Sequence, residues 1–240
     1  HSSADSHFDV VDRAIEVPAS DDWVEQAVGT HPLRTFVSLS DGKAGLSVFT
    51  RGLFEYEVLR EEGLPVAISL LRSHRIKLLV SEEKKQVLPD TGPLCLGPQE
   101  FHYALYAHTG DWDSSCAPAQ AHRWATPVRC AQVGRGQGAL AWRDSLFSIN
   151  REDLVVTAVK RAEAGGAVVV RLFNPSDEAR RAQIVWRSPL AAARLARMDE
   201  TPLQELRVNE RVAVFEAPPK KILTLLIEPA PPEAQAPPVS

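Results

Sequence analysis

Two pairs of acidic residues stand at spacings from which carboxylate chemistry can be built. Glu55 and Glu57 lie two apart in the strand-like run "GLFEYEVLR", and Asp111 and Asp113 flank Trp112. Two carboxyl groups about 5 Å apart can act together, one as a nucleophile and one as a general acid. Alternate residues on one strand face stand about 7 Å apart, so these pairs come nearer to that arrangement than any others in the chain. The plainer expectation is a solvated strand face for Glu55 and Glu57 and a turn for Asp111 and Asp113.

Metal and phosphate chemistry have weaker signals. His102 and His108 share a face of "FHYALYAHTGDW", but six residues of extended chain separate them by about 20 Å. His31, His74 and His122 are isolated, and neither HxH nor HExxH occurs, so no metal site is expected in this chain. "GRGQG" lacks the Lys-Ser/Thr ending and the strand–helix frame of a phosphate loop and reads as a flexible loop. Cys95, Cys116 and Cys130 are an odd number without CxxC spacing. They are expected to be reduced, mostly buried thiols of a cytoplasmic protein. Trp112, Trp124, Trp142 and Tyr106 have the composition of a sugar platform, in which a pyranose C–H face packs on an aromatic ring. Their simpler role is to fill the space between sheets. Trp186, on an alternating strand, reads as core.

Composition narrows the function classes. The 240 residues are 44% hydrophobic, enough to bury one large β domain or two smaller ones. Net charge is −4 with both signs interspersed. No Lys/Arg block suggests a nucleic-acid partner, and no apolar run nears the length of a membrane helix. The opening His1-Ser2-Ser3, without Met, is expected of a piece of a longer protein. Frequent Ala, Arg and Pro suit a GC-rich bacterial source.

The elements that must position these residues are strands. "FDVVDRAIEVP" is a first candidate, and "SDDWVEQAV" a short helix or edge element beginning at Ser20. "LRTFVSLS" and "AGLSVFT" form a hairpin about Asp41-Gly42-Lys43. "GLFEYEVLR" alternates as a half-solvated antiparallel strand should, and the more apolar "PVAISLLRS" reads as more central. Residues 81–100 are a long Pro/Gly connection, and residues 113–140 a second irregular stretch. After Arg143 come "SLFSIN", "LVVTAVK", "AVVVRLF", "RRAQIVW", "AARLARM", "RVAVFEA" and "KILTLLIEP". Turn signals about every 8–12 residues mark a sandwich. "LVVTAVK" and "AVVVRLF" should be antiparallel neighbours, the second ended by Asn174-Pro175. The tail "EPAPPEAQAPPVS" has nothing to pack and is expected to be disordered.

Three blocks of this sequence resemble the C-terminal region of family 38 glycoside hydrolases, the class II α-mannosidases. They are "FVSLSDGKAGLSVFTRGLFEYEV" with "ISLLRS", then "FHYALYAHTGDW", then "SLFSINREDLVVTAVKRAEAGGAVVVRLFNPSDE" with "KILTLLIEP". They occur in the family's order across residues 7–229. "FTRGLFEYEV" looks most similar to bacterial members acting on α-mannosides or mannosylglycerate.

The resemblance implies an all-β chain: residues 1–142 as part of a galactose-mutarotase-like supersandwich, 143–229 as a smaller antiparallel β-sandwich, and 230–240 as a disordered tail. It implies that zinc, the aspartate nucleophile and the acid/base carboxylate belong to a catalytic domain absent here, which a helical bundle follows. This chain then carries no catalytic residue and no cofactor. Its partners are those catalytic and helical domains and an α-mannoside or mannosylglycerate-type sugar. In the family the loop after "ISLL" approaches the pocket, which makes Arg72, His74 and Arg75 the candidate substrate-binding residues. The rival for Arg72 is a surface salt bridge. Rival functions for the whole chain are an autonomous carbohydrate-binding β-sandwich module and an assembly domain with a bare apolar face.

Overall fold

Asp41 reverses the chain by chemistry that the sequence announces. Its Oδ1 accepts the Lys43 and Ala44 N–H groups, both at 2.8 Å, while Gly42 adopts φ +85°. The hairpin expected there is present. The computed structural model describes residues 1–74, 76–77, 86–87, 92–136 and 141–231. Arg75, most of the 81–91 connection, the end of "GRGQG" and tail residues 232–240 lie outside the described residues. The chain divides into two compact units: His1–His7 with Val11–Asp111, and Phe8–Val10 with Trp112–Ser240. Both are β structures.

The first unit carries β1 (Ser2–Asp5), β2 (Val10–Arg13, whose first residue groups with the second unit), β3 (Thr30–Pro32), β4 (Phe36–Ser40) and β5 (Ala44–Arg51). It continues with β6 (Glu55–Val58), β7 (Val66–Ile68), β8 (Ile76–Lys77), β9 (Gln86–Val87) and β10 (His102–Thr109). One sheet runs β10-β5-β4-β1-β2, a second runs β3-β6-β7, and β8 pairs with β9. Val37, Val48, Tyr56, Val58 and Leu33 form a shared core. Asp5 fixes the approach to β4 by accepting N–H bonds from Arg34, Thr35 and Phe36.

Three expectations need correction in this unit. The "SDDWVEQAV" segment makes turns and no helix: Ser20 Oγ accepts the Ala27 N–H, and the Ser20 carbonyl closes a turn on Trp23. Backbone bonding from a short polar side chain competes with helix and wins here. The apolar β7 is an outer strand of the three-stranded sheet, with all three residues only half-buried and Leu70 and Leu71 exposed. The thiols are not mostly buried either. Cys95 and Cys130 are exposed and Cys116 is intermediate, all three free.

The second unit begins with α1 (Ala117–Ala125), a helix inside the stretch expected to be irregular. Four alanines favour helix, and Pro118 sits in the first turn, where its missing N–H costs nothing. Pro127 holds Thr126 in extended backbone and ends the helix. The strands follow as β11 (Phe147–Ile149), β12 (Val155–Arg161), β13 (Val168–Phe173), β14 (Arg180–Trp186) and β15 (Leu190–Ala196). β16 (Pro202–Glu205), β17 (Arg207–Asn209), β18 (Val212–Ala217) and β19 (Ile222–Pro229) complete the order. Two antiparallel sheets result, β11-β14-β18-β17 and β12-β13-β19-β15-β16. Leu172, Ile184, Ala213, Leu225 and Ile227, none with any exposure, fill the layer between them. Trp186 is 3% exposed and stacks on Phe147 at 5.6 Å, the core role expected for it.

β12 and β13 pair antiparallel from Val155↔Phe173 to Arg161↔Val168, as their sequence suggested. At the end of β13, fully buried Asn174 donates to the carbonyls of Glu178, Ala217 and Pro218 and accepts the Ser176 N–H. One amide thereby satisfies four backbone groups. Beside it, Arg180 bonds Asp113 at 2.8 Å and lies 2.9 Å from Asp153, which Arg151 also clasps. Burial pushes the Asp153 carboxyl up, but Arg151, the backbone and Arg180 together outweigh it and hold it below its ordinary value. No helix of the described residues is long and apolar enough to cross a membrane.

Candidate functional site

The segment carrying the predicted site residues closes a hollow on the first unit. β5 ends at Arg51, and Gly52 at φ +78° turns the chain so that Leu53 buries while Phe54 stays 63% exposed. Thr50 Oγ1 ties this turn by donating to the Leu53 carbonyl. Glu55 opens β6. Across from it, Ser69 follows β7 and donates its N–H to the Glu55 carbonyl at 3.0 Å. The hollow measures about 390 Å³ and is lined by 52–55 and 69–72.

Glu55 organises its polar wall. Oε1 accepts the Ser69 hydroxyl at 2.7 Å, and Oε2 accepts Arg72 Nη2 at 2.5 Å. The Arg72 side chain is nonetheless 76% exposed, against 27% for Glu55. A guanidinium has five N–H donors, so anchoring one edge leaves others pointing outward. Beyond Arg72 the loop is pinned to the 3-10 turn Gly92–Leu94 and its neighbour: Ser73 Oγ donates to the Leu94 carbonyl and the His74 N–H to the Pro93 carbonyl. The salt-bridge reading of Arg72 is thus real, and it also gives the guanidinium a fixed direction. His74 is exposed on the same loop. With Phe54, Leu70 and Leu71 exposed around these polar groups, the hollow has apolar and hydrogen-bonding surfaces together, as sugar sites do.

This arrangement can bind; it does not assemble acid/base chemistry. Glu57, the other acid of the β6 pair, faces Gly29, where a methyl group would sit 2.5 Å from its Oε1. It also raises the His31 pKa, against the larger lowering by burial and by Arg13. Asp113 belongs to the Arg180 cluster, with Ser176 Oγ donating to it at 2.6 Å. His102 pairs with Glu100 at 3.3 Å, whereas His108 Nε2 lies 3.0 Å from Ser47 Oγ and 3.3 Å from Ser38 Oγ. Among the described residues no three His, Cys, Asp or Glu side chains gather as a metal site would need.

The aromatic candidates disperse. Tyr106 packs on Phe49, Lys220 Nζ sits over Trp112, and Trp142 is 89% exposed beneath Arg143, so it fills no core. Sequence reasoning weighed Glu55 as a carboxylate but missed it as the anchor of Arg72, and missed Ser69 altogether. Alternation placed Glu55 on the polar face of its strand, but a partner 17 residues away leaves no local signal.

Residues 153–225 match the family model described as the glycosyl hydrolases family 38 C-terminal beta sandwich domain. A putative mannosylglycerate hydrolase of Halalkalibacterium halodurans is 31% identical over 228 residues, 94% of this chain and 24% of that protein. The chain is similar to the C-terminal β region of glycosyl hydrolase family 38. The crystal structure of an alpha-mannosidase from Enterococcus faecalis V583 is similar with a TM-score of 0.75 and 25% identity, over 95% of this chain and 24% of that one. A family 38 protein from Enterococcus faecalis, at 24% identity and TM-score 0.71, shares the fold. The chain spans about a quarter of the length of the putative mannosylglycerate hydrolase and of the alpha-mannosidase.

Proposed function

We propose that this chain is the non-catalytic β region of an α-mannosidase-like glycoside hydrolase that cleaves α-mannosidic bonds. In this reading it supports catalytic and helical domains, with zinc and the reacting carboxylates in the former, and lends loop residues to the sugar pocket. One observation carries the proposal: 94–95% of this chain aligns with only about a quarter of a putative mannosylglycerate hydrolase and of an alpha-mannosidase. The Glu55–Arg72 hollow supplies the loop contribution. Arg72, anchored on one edge, offers its remaining N–H groups to sugar hydroxyls, and His74 stands two residues on. A cytoplasmic location accords with three free cysteines.

The test is Arg72→Ala in the full-length enzyme with an aryl α-mannoside. Loss of a charge-assisted hydrogen bond to substrate should lower kcat/KM by about tenfold, near 1.4 kcal/mol. Glu55→Gln, which keeps an acceptor for Ser69 but weakens the hold on Arg72, should lower it less. Unchanged kcat/KM in Arg72→Ala would remove the hollow from the account.

A further inference from the structure

The outward face of β11-β14-β18-β17 carries a second feature, unrelated to the Arg72 hollow. Strand alternation sends Ala182, Ile184, Ala213 and Phe215 into the sandwich core, and their neighbours outward. Register then sets Gln183, Val214 and Arg207 side by side across three strands, with Val212 beside Asn209 in the next outward row. Neighbouring strands lie about 4.8 Å apart and outward residues about 7 Å along each strand. Val212 and Val214 thus form an apolar lane, with an amide on one side and a guanidinium and second amide on the other. A groove of about 980 Å³ opens here, walled further by Gln204 and Glu205.

The lining is chemically selective. Arg181 and Arg207 are balanced by Glu205 and Glu216, so the groove has no net preference for an anion. Glu205 is held by Arg194 at 2.6 Å. The side chains of Arg181, Arg207, Gln183 and Asn209 are exposed and make no hydrogen bond or ion pair among the described residues. Amides and guanidinium groups are the usual donors to hydroxyls, and a valine lane suits the C–H face of a pyranose. The volume reaches the upper end of small-ligand pockets, about 300–1,000 Å³. The geometry points to a binding groove for a short neutral oligosaccharide on this face, a site that binds without cleaving. It goes beyond the proposed function and stands or falls separately from it.

Amide-resolved NMR titration of the 240-residue chain with α-1,2-mannobiose tests the site. Shifts should centre on Gln183, Asn209, Val212 and Val214 and saturate with a Kd of about 1–10 mM. The double substitution Gln183→Ala/Arg207→Ala should weaken that binding at least about fivefold, while amides outside the groove keep their positions. The groove is refuted if no saturable shift develops by about 50 mM, or if the double variant binds as the parent does. Saturable shifts confined to Phe54–Arg72 would equally refute it, while leaving the Arg72 reading intact.

Discussion

The two units use polar side chains in opposite ways. In the sandwich, Asn174 and Arg180 turn inward and use their donors on backbone carbonyls and carboxylates of their own unit. In the first unit, Arg72 is anchored at one edge and otherwise exposed, with Phe54, Leu70 and Leu71 also turned outward. The same residue type, arginine, is structural in one place and presented in the other. What separates them is the number of acceptors within reach. Arg180 has Asp113, Asp153, Glu178 and Ser176; Arg72 has Glu55.

That contrast can be broken from the sandwich side first. Ile184→Ala removes a side chain with no exposure from the central layer and should cost about 3–4 kcal/mol. Denaturant unfolding of the sandwich reads this as a lower midpoint at unchanged slope. Arg180→Leu leaves Asp113 with the Ser176 hydroxyl and Asp153 with Arg151 alone, their side chains 25% and 12% exposed, and should cost about 3 kcal/mol. Arg72→Leu, by contrast, should change stability by under about 1 kcal/mol, because its ion pair is mostly solvated. Equal losses for the two arginines would erase the distinction.

A smaller effect sharpens the comparison from the first unit. A methyl group on Gly45 would lie 2.2 Å from His108 Cε1, so Gly45→Ala must push the ring off Ser47 and Ser38. The expected cost is about 1–2 kcal/mol. The cost should shrink when His108→Ala is already present, since the two residues share one contact. Additive losses would mean that the ring is not what Gly45 accommodates.

Acid sensitivity of the sandwich should trace in part to Asp153. Asp153 has its folded pKa depressed, so the stability it contributes is present above its unfolded value of about 3.9 and is lost as pH falls through the lower folded value. The sandwich of Asp153→Asn should therefore lose less stability than the parent between about pH 4 and pH 2. Hydrogen exchange of β12 and β14 amides across that range measures it. The smallest effect concerns the thiols. Burial raises the Cys116 pKa, and Asp153, Glu152 and Asp113 add to the rise. Iodoacetamide at pH 8 should therefore label exposed Cys95 and Cys130 before Cys116.

What could be read from the sequence followed the range of the physics. Alternation in "LVVTAVK" and "AVVVRLF" is local and carries its period in every residue, so β12 and β13 were legible. The Asp41-Gly42-Lys43 turn was legible for the same reason. β16 and β17 escaped because Pro202–Asn209 is short and largely exposed, leaving no buried face to set a pattern. α1 escaped because its nine residues are too few for helix preference alone to stand out, and Cys116 before it makes no side-chain cap. Arg72 was reached through family likeness, but Glu55 as its anchor was not, since pairing over 17 residues depends on how β6 and β7 register.

The central proposal is that this chain of paired β structures supports a catalytic domain rather than carrying a reaction centre itself. Incubating the isolated chain with 4-nitrophenyl α-mannoside and zinc tests this most directly. The account predicts nitrophenol release no faster than the buffer blank. Zinc-dependent turnover that tracks the pure 240-residue protein would contradict it.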